Sequence, residues 1–353
     1  MCGKDNMKKY ILLVAASALL LTACDKVSPI GVLVAGTAVE DRVKMSNLYF
    51  QQYKQEQLCG VADEGDYTFL VGADSHLTTD PSRIEEMLQN ALDHNDLLVA
   101  HLGDIADTKP EYYILLEQTL REAKEKYADK NYEKMELRVN EEDDDPITYY
   151  RYKAPKGDGE YDEEYYTLDE IVYPFFPVVG NHDITHNGWA MWSNIFHSSF
   201  YEFYVEVVGT DFFDHFIFLD TASGTLGQEQ VRLIEEGVLD GKMAEEMGCQ
   251  IRNTFVFSHT NIFRPSSLQF SSTFAREETF FLLNQFKKWN ATIVFCGHVH
   301  KWDEQEVGGV RYITLDSMSE NNNPEPGDYV VRIHVGKDGS LTWERIHMNT
   351  RKQ

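Results

Sequence analysis

Positive charge is scarce in this chain. Its 353 residues hold 32 Lys and Arg against 58 Asp and Glu, a net charge of −26. Phosphate backbones bind basic surfaces, so this balance excludes nucleic acid as the expected partner. Cysteine is scarce too: there are five, at positions 2, 24, 59, 249 and 296. None falls in a motif that would bind metal through thiolate. Cys296 ends an apolar run and suits a small packed hydrophobe. Cys59 and Cys249 are a pair that an oxidising compartment could join. Long apolar runs are nearly absent: residues 11–21 have signal-peptide length and are too short to span a bilayer. No internal repeat is visible. The hydrophobic content of 42% still supplies ample material for a core.

The amino terminus predicts export. Met7-Lys8-Lys9-Tyr10 is a positive start, the apolar stretch follows, and Leu21-Thr22-Ala23-Cys24 resembles a bacterial lipobox. Residues 1–24 are therefore expected to be a signal peptide with Met7 as the true start. Cys24 is the expected lipidation site, and a membrane is met only through that anchor. The expected location is exported, tethered to a bacterial membrane and facing the periplasm. An ordinary signal peptide is the alternative. Asp25 hints at inner-membrane retention. Residues 25–60 suggest a tether or a loosely attached first element, and residues 61–353 one domain.

Five short motifs then follow in order: Asp74-Ser-His76, Gly103-Asp104-Ile-Ala-Asp107, Gly180-Asn181-His182-Asp183, Ser258-His259 and Gly297-His298-Val-His300. Each offers oxygen or imidazole nitrogen, the donors that suit Mn, Fe or Zn. Seven side chains could ligate, too many for one ion and suited to two that share a carboxylate. Paired ions about 3.5–4 Å apart clamp a phosphoryl group and activate water. Each motif trails an apolar run, at 67–73, 97–102, 175–179, 254–257 and 291–296, of the kind that forms strands buried on both faces. The motifs thus sit past the carboxyl ends of strands, where helix-covered sheets place ligands. Glycines 72, 103, 180 and 297 would let the backbone turn sharply near an ion. Singly these motifs are weak; together and in order they are specific.

These motifs resemble those of calcineurin-like metallophosphoesterases, over residues 67–347. The resemblance implies an α/β fold: two mixed β-sheets packed as a sandwich flanked by helices, with a dimetal site on loops at strand carboxyl ends. It implies that Asp74, His76 and His300 hold one metal, that Asn181, His259 and His298 hold the other, and that Asp104 bridges them. The cofactors would be two divalent or trivalent ions, Mn, Fe or Zn. His182 would face the substrate as the catalytic group, donating to a phosphate oxygen or the leaving group, with Asp107 orienting it. Asp183 could serve that end or cap the following turn; Asp107 is preferred. The implied reaction is hydrolysis of a small phosphorylated substrate, a monoester or diester, by a metal-bound hydroxide. The alternative from another class is an idle binding lipoprotein that keeps the scaffold. Two departures narrow the family. Purple acid phosphatases need a tyrosine where Asp107 stands, and the fifty-odd residues after His300 leave no room for the substrate domain of periplasmic nucleotidases. Those residues predict strands at 310–315, 329–334 and 341–346.

Asp80-Pro81 marks a helix start, running to His94. Residues 275–290 and 228–238 read as helices, and 215–220 as a strand. Residues 108–174 form an insertion longer than a normal connection. Its first part, 112–135, has leucines at helical spacing. Glu141 to Asp145 is an acidic run, and Tyr149, Tyr150, Tyr152, Tyr161, Tyr165 and Tyr166 follow. Lying between the second and third motifs, the insertion is expected to leave and return at metal-bearing loops, which suggests a cap with tyrosines for stacking; a solvated surface feature is the equal alternative. Residues 187–192 and 260–272 are the other expected rims, and 320–326 a turn segment without an assigned role.

Overall fold

Runs rich in Phe, Val and Ile build the strands of this protein, and what each strand buries decides its place. The computed structural model describes residues 38–52, 58–62, 65–137, 147–157, 160–263, 274–319 and 329–348. Cys24 and the leader, the acidic run at 141–145, most of the 260–272 rim and the 320–326 segment lie outside these residues. Along the chain the strands are β1 (Leu58–Ala62), β2 (Tyr67–Gly72), β3 (Leu98–His101), β4 (Glu133–Leu137), β5 (Ile147–Gly157), β6 (Glu160–Tyr166), β7 (Phe175–Pro177) and β8 (Tyr201–Val207). They continue as β9 (Phe212–Phe218), β10 (Gln250–Ser258), β11 (Ile293–Cys296), β12 (Asp303–Val307), β13 (Val310–Thr314), β14 (Tyr329–Val335) and β15 (Leu341–His347).

One sheet has the order β1-β8-β9-β10-β11-β13-β12 and another β15-β14-β2-β3-β7. Both are mixed. β9, β10, β11 and β13 run parallel, β8 runs against β9 but along β1, and β12 runs against β13. β2, β3 and β7 run parallel while β14 opposes both β2 and β15. The fold class expected from the sequence is therefore the one observed. The three strands expected after His300 divide between the sheets, β13 in the first and β14 and β15 in the second, and a further strand, β12, pairs with β13 at the edge of the first. Between the sheets lies an aromatic core in which the Phe69 ring meets Phe255 at 5.1 Å and Phe216 at 5.4 Å. Edge-to-face rings of this kind add to the energy of area burial.

Helices cover the outer faces. α1 spans Val39–Gln52, α2 Ser82–His94, α3 Pro110–Asn131, α4 Asn181–Ile184, α5 Gly188–Phe196, α6 Gly227–Glu235, α7 Lys242–Glu246 and α8 Arg276–Lys288. α2 buries Ile84, Met87, Leu88 and Ala91, the expected stripe. The Asp80 carboxylate accepts the Ser82 N–H at 3.0 Å, and Asn95 ends the helix in the left-handed region.

Two expectations fail. Residues 39–52 are no tether. Arg42 is fully buried in α1, its guanidinium 2.9 and 2.8 Å from the two Asp220 oxygens. Glu40 accepts the N–H groups of Gln228 and Glu229 at the start of α6. Its buried face, Val39, Arg42, Val43, Ser46 and Phe50, mixes polar with apolar groups, which dilutes the apolar periodicity in the sequence. The insertion, secondly, does not return at a metal-bearing loop. A connection between the parallel strands β3 and β7 must re-enter at the amino end of β7. α3 carries the chain there, about 33 Å for its 22 residues. Its last turn meets the far end of the sheet: Lys130 Nζ donates to the Leu92 carbonyl and Tyr127 packs on Tyr173 at 5.6 Å. β4, β5 and β6 form a small antiparallel sheet on that end of α3, with Tyr150 and Ile171 buried against Ala128. Among the described residues the tyrosine-bearing strands therefore stand at that end of α3 and not at the end where the chain leaves the second motif.

Candidate metal centre

The five motifs converge at the carboxyl ends of β2, β3, β7, β10 and β11. Ligand atoms of Asp74, His76, Asp104 and His300 lie within 4.8 Å of one another, as do those of Asp104, His259 and His298. Asn181 joins the second group, its Oδ1 2.9 Å from His259 Nε2. The seven expected ligands are therefore in one place.

The backbone there is strained. Among the described residues ten that are not glycine have positive φ, and five of them are Asp74, His76, Asp104, His298 and His300. Such conformations cost about 1–3 kcal/mol each and persist only where the surroundings dictate them. Close approach of two loops is part of that dictation. A Cβ on Gly103 would stand 2.7 Å from Gly180 N, and one on Gly180 would stand 2.1 Å from Asp104 N.

The donor set tests whether metal fits. His259 Nδ1 lies 2.7 Å from the Leu102 carbonyl, which can only accept, so Nδ1 carries the proton and Nε2 keeps its lone pair. That lone pair faces Asp104 Oδ2 at 3.5 Å. His76 Nδ1 likewise faces Asp107 Oδ1 at 3.3 Å, which leaves His76 Nε2 opposite His300 Nε2, also 3.3 Å away. Asp74 Oδ1 is fully buried with no hydrogen-bond partner, its nearest counter-group being His300 Nε2 at 3.5 Å. Lone pairs directed at one another are reconciled by cations, and the residues fit a two-ion site.

Burial raises the Asp74 carboxyl, but contact with His300 and the charges of His259 and His76 hold it below the usual carboxylate range. The hydrogen bond to Asp107 outweighs desolvation at His182 and pushes the imidazole up to about 9. The same bonds, from His182 and then His76, depress Asp107.

His182 stands beside these groups with its side chain 49% exposed and its Nδ1 3.2 Å from Asp107 Oδ1. Asp107 thus faces both His182 and His76, a sharing that the motif spacing did not reveal. Asp183 points elsewhere. It accepts the N–H groups of Gly180 at 2.8 Å, Ile105 at 3.0 Å and Ala106 at 3.3 Å, which staples the second and third motifs together. Burial and the Asp104 charge raise its carboxyl to about 6, against the lowering effect of the Gly180 and Ala106 bonds.

Several supporting residues carried no motif. His101 is buried under the first loop, Nε2 3.1 Å from Ser75 Oγ, and burial pushes it down to about 3. Thr221 Oγ1 accepts the N–H groups of His259 at 2.9 Å and Thr260 at 3.0 Å. Its position, just past the apolar strand β9, is the same signal that marked the five motifs. Of the expected rims, Trp189 and Trp192 are buried and stack on each other at 5.4 Å, so they serve as packing. Cys249 is a free thiol.

Donors of this kind, gathered past the ends of parallel strands between two mixed sheets, make up a candidate metal centre. The chain belongs to the calcineurin-like phosphoesterase family, whose sequence profile matches residues 67–302. No curated protein matches the chain. Among solved structures it is similar to the anchor of the inner membrane complex of Plasmodium, at 14% identity over 81% of this chain and 90% of that one, with a TM-score of 0.43. It is also similar to a dimetal phosphatase from Danio rerio, at 11% identity over 80% and 98% of the chains, with a TM-score of 0.42. A third is an archaeal phosphodiesterase, at 10% identity over 79% and 99%, with a TM-score of 0.35. Likenesses this distant bear on neither substrate nor activity.

Proposed function

We propose that this protein is a metal-dependent phosphoric ester hydrolase acting on a small phosphorylated substrate. The observation that carries this is the convergence of seven donors, five of them on left-handed backbone, around the orphaned Asp74 Oδ1. Asp74, His76 and His300 would hold one ion and Asn181, His259 and His298 the other, with Asp104 between them. When bound, such a pair neutralises phosphoryl charge and makes water a competent nucleophile; manganese is the metal we would supply first.

The chain's own residues do the rest. Asp107 holds the His182 Nδ1–H, so Nε2 is the atom turned outward to the substrate. From there it donates to a phosphoryl oxygen or protonates a leaving alkoxide. Asp107 also fixes the His76 ring, so one carboxylate orients a metal ligand and the substrate-facing histidine together. The acidic balance of the chain, −26, favours substrates whose only strong anion is the phosphoryl group itself. The setting we propose is export and attachment to a bacterial membrane through Cys24, which rests on the lipobox-like residues 21–24 and the leader before them.

The test is a hydrolysis panel of phosphomonoesters, nucleotides, cyclic nucleotides and phospholipid head groups, run on chelator-stripped protein with and without Mn²⁺. Metal-restored turnover of at least one class is expected. Two bound ions with no turnover of any class would favour the idle binding protein.

A further inference from the structure

The candidate ligands for the first ion come from two different sheets. Asp74 and His76 follow β2, in the five-stranded sheet, whereas His300 follows β11, in the seven-stranded one. Facing sheets pack through side chains and do not share backbone hydrogen bonds. The His298 N–H bond to Asp74 Oδ2, at 2.9 Å, ties the two loops at one point, and further bonds must set their separation if Asp74 Oδ1 and His300 Nε2 are to stay 3.5 Å apart.

The segment 315–319, after β13, spans that gap. Leu315 N–H donates to the Cys296 carbonyl at 2.8 Å, on the His300 side. Met318 N–H donates to the Ala73 carbonyl at 2.9 Å, on the Asp74 side. Between them Ser317 Oγ donates to the carbonyl of Asp74 itself at 2.7 Å and accepts the Ser319 N–H at 2.9 Å. Its neighbour Asp316 accepts the N–H of Trp302 at 2.8 Å, two residues past His300. The other Asp316 oxygen is held by Arg345, whose guanidinium lies 4.6 Å from the Trp302 ring and 4.2 Å from the Tyr329 ring. Asp74 and His300 have φ of 52° and 56°, and a left-handed peptide needs outside bonds to keep it. Ser317 is fully buried, so its hydroxyl has no water to fall back on.

We infer that Asp316 and Ser317 are positioning residues for the first metal: they clamp the Asp74 and His300 loops, from opposite sheets, at the separation that one ion needs. This rests on the two-ion reading of the site. Asp316 and Ser317 both lie outside residues 67–302, the span that matches the family profile.

The inference is tested by titrating the stripped full chain with Mn²⁺ alone, followed by calorimetry and by the Mn²⁺ resonance signal of single and coupled ions. Wild type should take up two ions. Ser317→Ala should weaken one uptake event by about 10–100-fold, the range for residues that orient ligands, and leave the other unchanged. The weakened event should be the one lost in His76→Ala and kept in His259→Ala. Should Ser317→Ala fail to fold, Asp316→Ala carries the test and is expected to weaken the same uptake event and leave the other unchanged. Asp316→Asn, which keeps an oxygen for the Trp302 N–H, should retain both affinities. Equal weakening of both events, or no change in either variant, overturns the inference while leaving two wild-type ions intact. A wild type that binds one ion overturns the two-ion reading and this inference with it.

Discussion

Gly180→Ala is a one-carbon change that asks whether the second and third motifs meet as described. Gly180 has φ −103° and ψ 174°, an extended conformation that alanine adopts freely, so the backbone itself does not object. Space does. The new Cβ would lie 2.1 Å from Asp104 N and 2.2 Å from Asp104 Oδ1, where ordinary contact begins at 3.4 Å. The two loops must part by about 1 Å, since neither neighbour is the free end of a flexible side chain. That movement stretches the bond from His182 N–H to Asp104 Oδ1, now 2.7 Å, and shifts the bridging carboxylate away from His259. Forcing a methyl into packed structure costs about 1–3 kcal/mol, which a domain with three large hydrophobic clusters should survive. Misplacing reacting groups by about 1 Å costs on the order of 10²-fold in rate. The variant should therefore fold, with a modestly lower melting temperature, and lose about 10²-fold in kcat/KM together with metal retention. Circular dichroism, metal analysis after gel filtration and turnover of the best substrate in the panel measure the three quantities. Wild-type metal content with kcat/KM within threefold of the parent would refute the reasoning, because Asp104 would then not depend on this contact.

His182→Ala should keep both metals, since His182 faces Asp107 and solvent, and should lose roughly 10²–10⁴-fold in rate, less for aryl phosphates whose leaving groups need little protonation; metal analysis showing a lost ion would make His182 a ligand. Arg42→Ala leaves Asp220 buried without its guanidinium partner, so denaturant unfolding should show a loss of about 3–5 kcal/mol; a loss under 1 kcal/mol would restore the loose-tether view of α1. Replacing residues 133–166 with a short Gly/Ser linker should leave the ranking of substrates unchanged, because the small sheet stands at the far end of α3; a changed ranking would bring the cap back.

What the sequence made legible follows from how each element is buried. β2, β3, β10 and β11 lie inside their sheets and β7 at an edge; all five run parallel to a neighbour and are largely covered, so they appear as unbroken apolar runs and expose their own ends. The candidate ligands sit at those ends, so the same runs point to them. β8 hides behind alternation, Tyr201-Glu-Phe-Tyr-Val-Glu-Val, and Glu202 is itself buried by pairing with His215 at 2.7 Å. α1 hides because Arg42 and Ser46 point inward. The insertion misled for a different reason: its tyrosines suggested a surface for stacking substrate, yet Tyr132, Tyr150 and Tyr166 are strand and helix-end residues packing on one another. The topology already contained the correction, since a connection between parallel strands has to start and finish at opposite ends of a sheet.

The left-handed ligands were illegible for a deeper reason: glycine announces positive φ and aspartate does not. The structure shows what holds them. Asp74 divides its oxygens, with Oδ2 accepting the His298 N–H at 2.9 Å and Oδ1 turned to His300. Asp104 does the same, with Oδ1 accepting the His182 N–H at 2.7 Å and Oδ2 turned to His259 and His76. Each carboxylate thus spends one oxygen on the backbone of a different motif and keeps the other for the centre. The residue whose backbone it fixes lies in each case on another motif: Asp74 steadies His298, a candidate ligand of the second ion, and Asp104 steadies His182. Asp183 repeats the pattern without facing the centre at all. Strain that no single loop could maintain is shared among loops that hold one another, which is why five motifs separated by up to some 220 residues act as one unit.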